Sequence, residues 1–245
     1  MSAKNLCILF ASFSICLSTG CSSDKTMYPP LTEPTREWNV AFLIMNGVYN
    51  TELTAPMDVF QHTIFHTDPG MRVFTIAKNL ERVRSFEGLV IQPDYSYVDT
   101  FPPIDILVVP SAEHHLDSDL EDEEMLAFVR EIGMQAKYVM SLCDGAFVLA
   151  KAGLLDNAAS TTFPSDIPAY KQMFPQLTVY EEVIFVHDGK YITGAGGARS
   201  FEPALYLCER LYGKKVAEGI GRGLVIEWDL EKLHYDNSVK RTSNQ

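Results

Sequence analysis

The chain has 245 residues, 47% of them hydrophobic and 21% charged, with a formal net charge of −12 at pH 7. That length and apolar share are enough to bury the core of one α/β domain. The acidic balance repels phosphate backbones and anionic headgroups, which excludes nucleic acid as a partner.

Met1 to Lys4 is a short basic start, and Leu6 to Leu17 is an apolar run too short for an ordinary membrane span, so residues 1–20 read as a signal peptide. Ser18-Thr19-Gly20-Cys21 ends it with small residues before a cysteine, which resembles a bacterial lipoprotein box with Cys21 as the lipidated N-terminus. The leucine stands at Leu17 rather than three positions before the cysteine, so a plain cleavage site and an uncleaved anchor stay open. The lipoprotein reading puts the protein in a bacterial cell envelope, held to the bilayer through Cys21 and facing the periplasm or exterior. Loss of the leader removes Lys4 and no acid, taking the charge to −12 − 1 = −13. Residues 21–37, rich in Ser, Thr and Pro, read as a flexible tether, residues 38–230 as the folded domain and residues 231–245 as a tail.

Asn39 to Met45 is an apolar strand, Gly47 to Asn50 its exit loop, and Thr51 a predicted N-cap for a helix carrying Leu53, Met57, Val59, Phe60 and Ile64. Glu52 falls in the first turn of that helix. There it either complements the helix dipole or serves a site at the carboxyl edge of a parallel sheet. His62 and His66 have a spacing that can hold zinc, but Phe60, Ile64 and Phe65 around them point to packing. Arg72 to Ala77 is a second strand, Arg84 to Pro93 a hairpin and Tyr95 to Pro103 a loop. Ile104 to Pro110 is a buried strand that ends in Ser111-Ala112-Glu113-His114-His115. The acids from Asp117 to Glu124 open a helix that continues through Met125, Leu126, Val129 and Ile132.

Tyr138 to Leu142 is again a strand, and Gly145 to Ala152 a helix ended by Gly153, with Cys143 at the joint. A cysteine there either meets unpaired N–H groups that favour the thiolate or is a small buried hydrophobe. Further on, Ala159 to Phe163 is extended, Ser165 to Phe174 is helical and Leu177 to Tyr180 is a strand. Val183 to Thr193 is a hairpin turning at His187-Asp188-Gly189-Lys190, and His187 and His234 read as surface residues. Gly194-Ala195-Gly196-Gly197 is a flexible loop without the spacing of a dinucleotide fingerprint, and no cofactor is expected. Ser200 is a predicted N-cap for the helix bearing Leu205, Leu207, Cys208 and Leu211. Cys7 and Cys16 leave with the leader, so Cys143 and Cys208 remain as two free thiols. Strands alternating with helices predict a doubly wound α/β layer.

Three segments in this order resemble the ThiJ/PfpI family of the glutamine-amidotransferase-like superfamily. They are Asn46 to Phe60 with Glu-Leu-Thr-Ala-Pro, Ser141 to Thr162 with Cys-Asp-Gly-Ala and Ala-Gly-Leu-Leu-Asp, and Ile192 to Gly213 with Ser-Phe-Glu. The resemblance implies a flavodoxin-like, mostly parallel sheet between helix layers, commonly dimeric, with an elbow cysteine as nucleophile. Cys143 maps to that nucleophile and Glu52 to its carboxylate neighbour, which when protonated can donate to the thiolate or act as general acid. Backbone N–H groups near Ala112 and Asp144 are expected to hold developing negative charge.

Two departures bear on the reaction. Hydrolytic members carry a histidine after the Thr-Thr pair, where this chain has Phe163, so protease or glutaminase chemistry is not expected. The usual Gly-Gly after the central strand is Ser111-Ala112. His114 or His115 is the candidate replacement for the missing imidazole; a metal bound with Glu113, and two plain loop histidines, are the alternatives. The expected function is a cysteine site acting on a small molecule by hydratase, lyase or hydrolase chemistry. The alternative is a non-catalytic ligand-binding or redox-sensing domain.

Overall fold

The computed structural model describes residues 36–237. The signal peptide, Cys21, most of the tether and residues 238–245 lie outside the described residues. The fold opens with β1 (Asn39–Leu43), α1 (Asn50–Gln61) and β2 (Arg72–Ala77), followed by a small hairpin of β3 (Val83–Arg84) and β4 (Val90–Ile91). Next come β5 (Tyr95–Ser96), β6 (Ile106–Val109), α2 (Glu123–Gln135), β7 (Tyr138–Leu142) and α3 (Gly145–Lys151). The second half holds β8 (Ala159–Ser160), α4 (Ile167–Met173), β9 (Thr178–Val179), β10 (Phe185–Asp188) and β11 (Tyr191–Gly194). It closes with α5 (Phe201–Tyr212), α6 (Lys214–Gly223) and β12 (Asp236–Asn237).

Eight strands form the main sheet in the order β12-β10-β11-β7-β6-β1-β2-β5, parallel throughout except for the β10–β11 hairpin. Successive residues of a strand point to opposite faces, so a sheet covered on both sides needs continuous apolar runs. The chain meets that demand. Val40, Phe42, Ile106, Val108, Met140 and Leu142 join one core with residues of α1, α5 and α6. Ala41, Leu43, Leu107, Val109 and Val139 join the other with residues of α2, α3 and α4. The result is the flavodoxin-like sandwich expected from the sequence.

Several local expectations are corrected. Helix α1 starts one residue before Thr51, with Tyr49 at the cap position and no side-chain cap. Its first N–H groups find an acid from elsewhere, because Asn50 N–H donates to the Glu87 carboxylate of the hairpin at 3.0 Å. The helix gives way at His62 to a 3-10 turn, so His62 and His66 do not share one helical face. His62 Nδ1 lies 2.9 Å from the Asp58 carbonyl, while Ile64 and Phe65 are exposed rather than packed. Ser200 occupies the cap position of α5 but makes no capping bond. Tyr95–Ser96, expected as loop, pairs with β2 at the sheet edge. His187 is buried, not on the surface, and its Nδ1 stands 2.7 Å from the Tyr206 hydroxyl.

Helix α6 was not anticipated, because Gly219, Gly221 and Gly223 depress helix propensity. The glycines have a packing reason. A β-carbon at Gly219 would lie 2.8 Å from the His66 ring, and one at Gly221 would lie 2.8 Å from the Ile226 carbonyl oxygen.

Candidate functional site

The carboxyl ends of β1, β6, β7 and β11 lie side by side, which is where parallel α/β sheets collect reactive groups. The β1 exit is tied to the β6 exit by a Val48–Ala112 bridge, by Tyr49 N–H donating to Ser111 O at 3.0 Å and by Glu113 N–H donating to Gly47 O at 3.0 Å. The β7 exit is tied to β11 by Cys143 N–H donating to Gly194 O at 2.9 Å. These bonds fix the β1 and β6 exits to each other and the β7 and β11 exits to each other.

Cys143 forms the turn between β7 and α3 with φ +54, in the left-handed region that a cysteine rarely occupies. The close approach that shapes the turn is made by Gly145, where a β-carbon would sit 2.1 Å from the Val109 carbonyl oxygen. The thiol is 6% exposed and donates to Asp144 Oδ2 at 3.6 Å. Thr162 Oγ1 braces the pair, its single hydroxyl proton shared between the Cys143 carbonyl at 3.0 Å and Asp144 Oδ1 at 3.1 Å.

Glu52 is buried, and its Oε1 accepts the Gly197 N–H at 2.8 Å. Gly196, the residue before, stands against Cys143, so the β11 exit loop joins the carboxylate to the cysteine. Both residues therefore border the β11 exit loop at one edge of the sheet.

The electrostatics differ from the sequence expectation. Burial, then the charge of Asp144, push the Cys143 thiol pKa far above its ordinary value, and Glu52 adds to the rise. The Ser111 hydroxyl and the Asp144 N–H pull the other way without overcoming it. Asp144 itself is pushed up to about 6 by burial and by the neighbouring charge of Asp166.

The other expected groups are placed differently. Ala112 N–H donates to His115 Nδ1 at 3.2 Å, so it is not turned to a substrate. The His115 ring is fully buried, with Nε2 3.3 Å from Met45 Sδ, and burial lowers its pKa to about 3. It is a neutral packing group, unsuited to carry protons near neutrality. His114 is exposed and faces Asp117 at 3.3 Å. Among the described residues no group of three His, Cys, Asp or Glu side chains is arranged to hold a metal ion. Phe163, where the resemblance implies a histidine in hydrolytic members, is 38% exposed. Cys143 and Cys208 are both free.

Sequence reasoning missed Tyr49. Burial, then Cys143, Glu113, Asp144 and Glu52 in turn, raise the pKa of its phenol, which places it among all four. Its ring lies 4.7 Å from that of Phe86 on the β3–β4 hairpin, forming an aromatic wall at the site. No local pattern marks Tyr49, because the Val48–Ala112 bridge that positions it joins distant parts of the chain.

The model of the DJ-1/PfpI family matches residues 38–210. An isonitrile hydratase from Pseudomonas putida is 34% identical over 182 residues, covering 73% of this chain and 74% of that protein. The HTH-type transcriptional regulator CdhR of Pseudomonas aeruginosa is 31% identical over 102 residues, which span 42% of this chain and only 30% of the regulator. In fold, the chain is similar to a ThiJ/PfpI family protein from Pseudomonas syringae, with a TM-score of 0.69 and 24% identity over 85% of each chain. It is likewise similar to Drosophila melanogaster DJ-1beta, with a TM-score of 0.61 and 22% identity over 79% of this chain and 100% of that one.

Proposed function

The chain belongs to the DJ-1/PfpI family, and from that premise we propose that it is a lipid-anchored envelope protein whose Cys143 site adds water to a small electrophile of the isonitrile type. The single observation that carries this reading is the joining of Cys143 and Glu52 through Gly196 and Gly197 at one sheet edge. The likeness to an isonitrile hydratase over most of the chain supports the reaction class. Phe163 speaks against chemistry that needs the family's histidine.

In the proposed sequence the Cys143 sulfur bonds to the terminal carbon of R–NC as its proton departs, and Glu52 supplies a proton to that carbon. The product is a thioimidate, R–N=CH–S–Cys143. Water adds across its C=N bond to give R–NH–CH(OH)–S–Cys143. Collapse breaks the C–S bond, returns a proton to sulfur and the hydroxyl proton to Glu52, and releases R–NH–CHO. Overall, one isonitrile and one water give one formamide.

A second reading, ligand or redox sensing without turnover, is supported by the likeness to the transcriptional regulator CdhR over 42% of this chain. A turnover screen of the protein against isonitriles, 2-oxoaldehydes and amides, with Cys143→Ala as control, separates the two. Cys143-dependent turnover of an isonitrile supports hydration. Binding without turnover of any of the three classes supports sensing.

A further inference from the structure

The exits of β6 and β7 run in register. Ile106, Leu107, Val108 and Val109 pair with Tyr138, Val139, Met140 and Ser141, a constant offset of 138 − 106 = 32 residues. Carried two residues past the strands, that offset sets Ser111 beside Cys143. The elbow is held hard against this exit: a β-carbon at Gly145 would lie 2.1 Å from the Val109 carbonyl oxygen and 3.2 Å from that of Pro110. On its other side the Ser111 backbone is fixed by Tyr49, whose N–H donates to Ser111 O at 3.0 Å.

The Ser111 side chain is fully buried, and its Oγ has no hydrogen bond of ordinary geometry to any group among the described residues. A buried hydroxyl left unpaired costs stability, so its presence calls for a partner that appears during function. The group it does influence is the Cys143 sulfur, whose charged form it favours together with the Asp144 N–H. A thiol sulfur is a weak acceptor and a thiolate a strong one, so the hydroxyl gains a full bond only when the sulfur is charged. The next backbone donor along the exit is already used, because Ala112 N–H donates to His115 Nδ1 at 3.2 Å. The family resemblance implies a glycine at position 111, which has no hydroxyl to offer.

We propose that the Ser111 hydroxyl is a hydrogen-bond donor reserved for the Cys143 sulfur in its charged form, a role that a glycine at this position could not fill. The proposal rests on the reading of Cys143 as the attacking group. The hydroxyl reaches the sulfur from the β6 exit, while the Asp144 N–H reaches it along the elbow. When the sulfur bonds to an electrophile its charge is spent and the hydroxyl is released. When the C–S bond breaks, its electron pair returns to sulfur and the hydroxyl engages again. The proton stays on Oγ throughout.

The surroundings give such a donor its importance. The titratable groups about the sulfur are Asp144 beside it, Glu52 on α1, Tyr49 at the cap of α1 and Glu113 after β6. None of these four carries a positive charge, so a negative sulfur depends on neutral donors.

The test is the rate of iodoacetamide alkylation of Cys143 against pH on the full chain, read on the Cys143 peptide by mass spectrometry, which needs no substrate. In Ser111→Ala the midpoint of the profile is expected to rise by about one pH unit, so the rate below the midpoint falls about tenfold. Ser111→Gly is expected to show the same rise, and Ser111→Thr, which keeps the hydroxyl, to hold the wild-type midpoint. The urea midpoint of Ser111→Ala should equal or exceed that of wild type, because the lost hydroxyl had no partner in the fold. A midpoint unchanged or lowered in both Ser111→Ala and Ser111→Gly overturns the proposal. So does a rise of the same size in Ser111→Thr, which would trace the effect to shape rather than to the hydroxyl. The expected profiles in a protein that turns over no isonitrile would sink the hydration reading and leave this one standing. Isonitrile turnover with unmoved midpoints would sink this one alone.

Discussion

Gly196 stands against Cys143 so closely that a β-carbon on the glycine would lie 2.3 Å from that of the cysteine. Its φ of +84 is also one that a larger residue resists. Gly196→Ala therefore has to displace either the elbow or the β11 exit loop. The expected outcome is a stability loss of about 3 kcal/mol by urea unfolding, together with a changed alkylation rate at Cys143. Wild-type stability and wild-type alkylation in this variant would show that the loop and the cysteine are not packed as described.

When ionised, Glu52 is one of the charges that raise the Cys143 pKa, and when protonated it is the acid of the proposed reaction. Glu52→Gln keeps an oxygen for the Gly197 N–H while removing the charge. The thiol pKa should fall, so alkylation at pH 8 should speed up, whereas hydration turnover should drop by about 10²–10⁴ for loss of a proton carrier. Opposite changes in the two rates are the signature. Parallel losses in both would reduce Glu52 to a structural acceptor.

How far this site could be read from sequence depends on how local each cause is. The strand residues Val40 to Leu43 and Tyr138 to Leu142 announce themselves, because burial on both faces demands unbroken apolar runs. Cys143 and Glu52 were found from the elements just before or around them. The direction of the thiol's pKa shift is not legible there, since it depends on how deeply the sulfur itself is buried and on the charge of Asp144 beside it. From sequence His115 is a candidate proton carrier, a metal ligand or a plain loop histidine, and the packing of Met45, 70 residues away, against its buried ring is not visible there. Asp144 was valued only for its N–H, because the turn of its side chain toward sulfur follows from the φ of Cys143.

Buried His187, lowered to about 4 mainly by burial, gives a pH dependence of folding. The unfolded imidazole takes up a proton at about 6.5 while the folded one resists, so the stability is intact above pH 6.5 and is lost as pH falls toward 4. Between pH 7 and pH 5 the cost from this residue is about 2 kcal/mol. In His187→Gln the loss over that interval should be smaller by about that amount, measured by urea unfolding at both pH values. An unchanged pH dependence would mean that His187 is protonated in the fold.

The lipoprotein reading predicts that Cys21→Ala moves the protein from the membrane fraction to the soluble one. Each buried methylene of an acyl chain contributes about 0.8 kcal/mol, so two or three chains hold firmly and their loss should be complete. A Cys21→Ala protein that still pellets with membranes after a salt wash would point to an uncleaved anchor.

Covalent capture tests the central claim most directly. The protein is mixed with a small isonitrile, quenched in acid within one turnover, digested and mapped by mass spectrometry. The account predicts an adduct of the isonitrile's mass on the Cys143 peptide, followed by release of the formamide. Formamide production that proceeds equally well in Cys143→Ala, with no adduct on the wild-type cysteine, would contradict it.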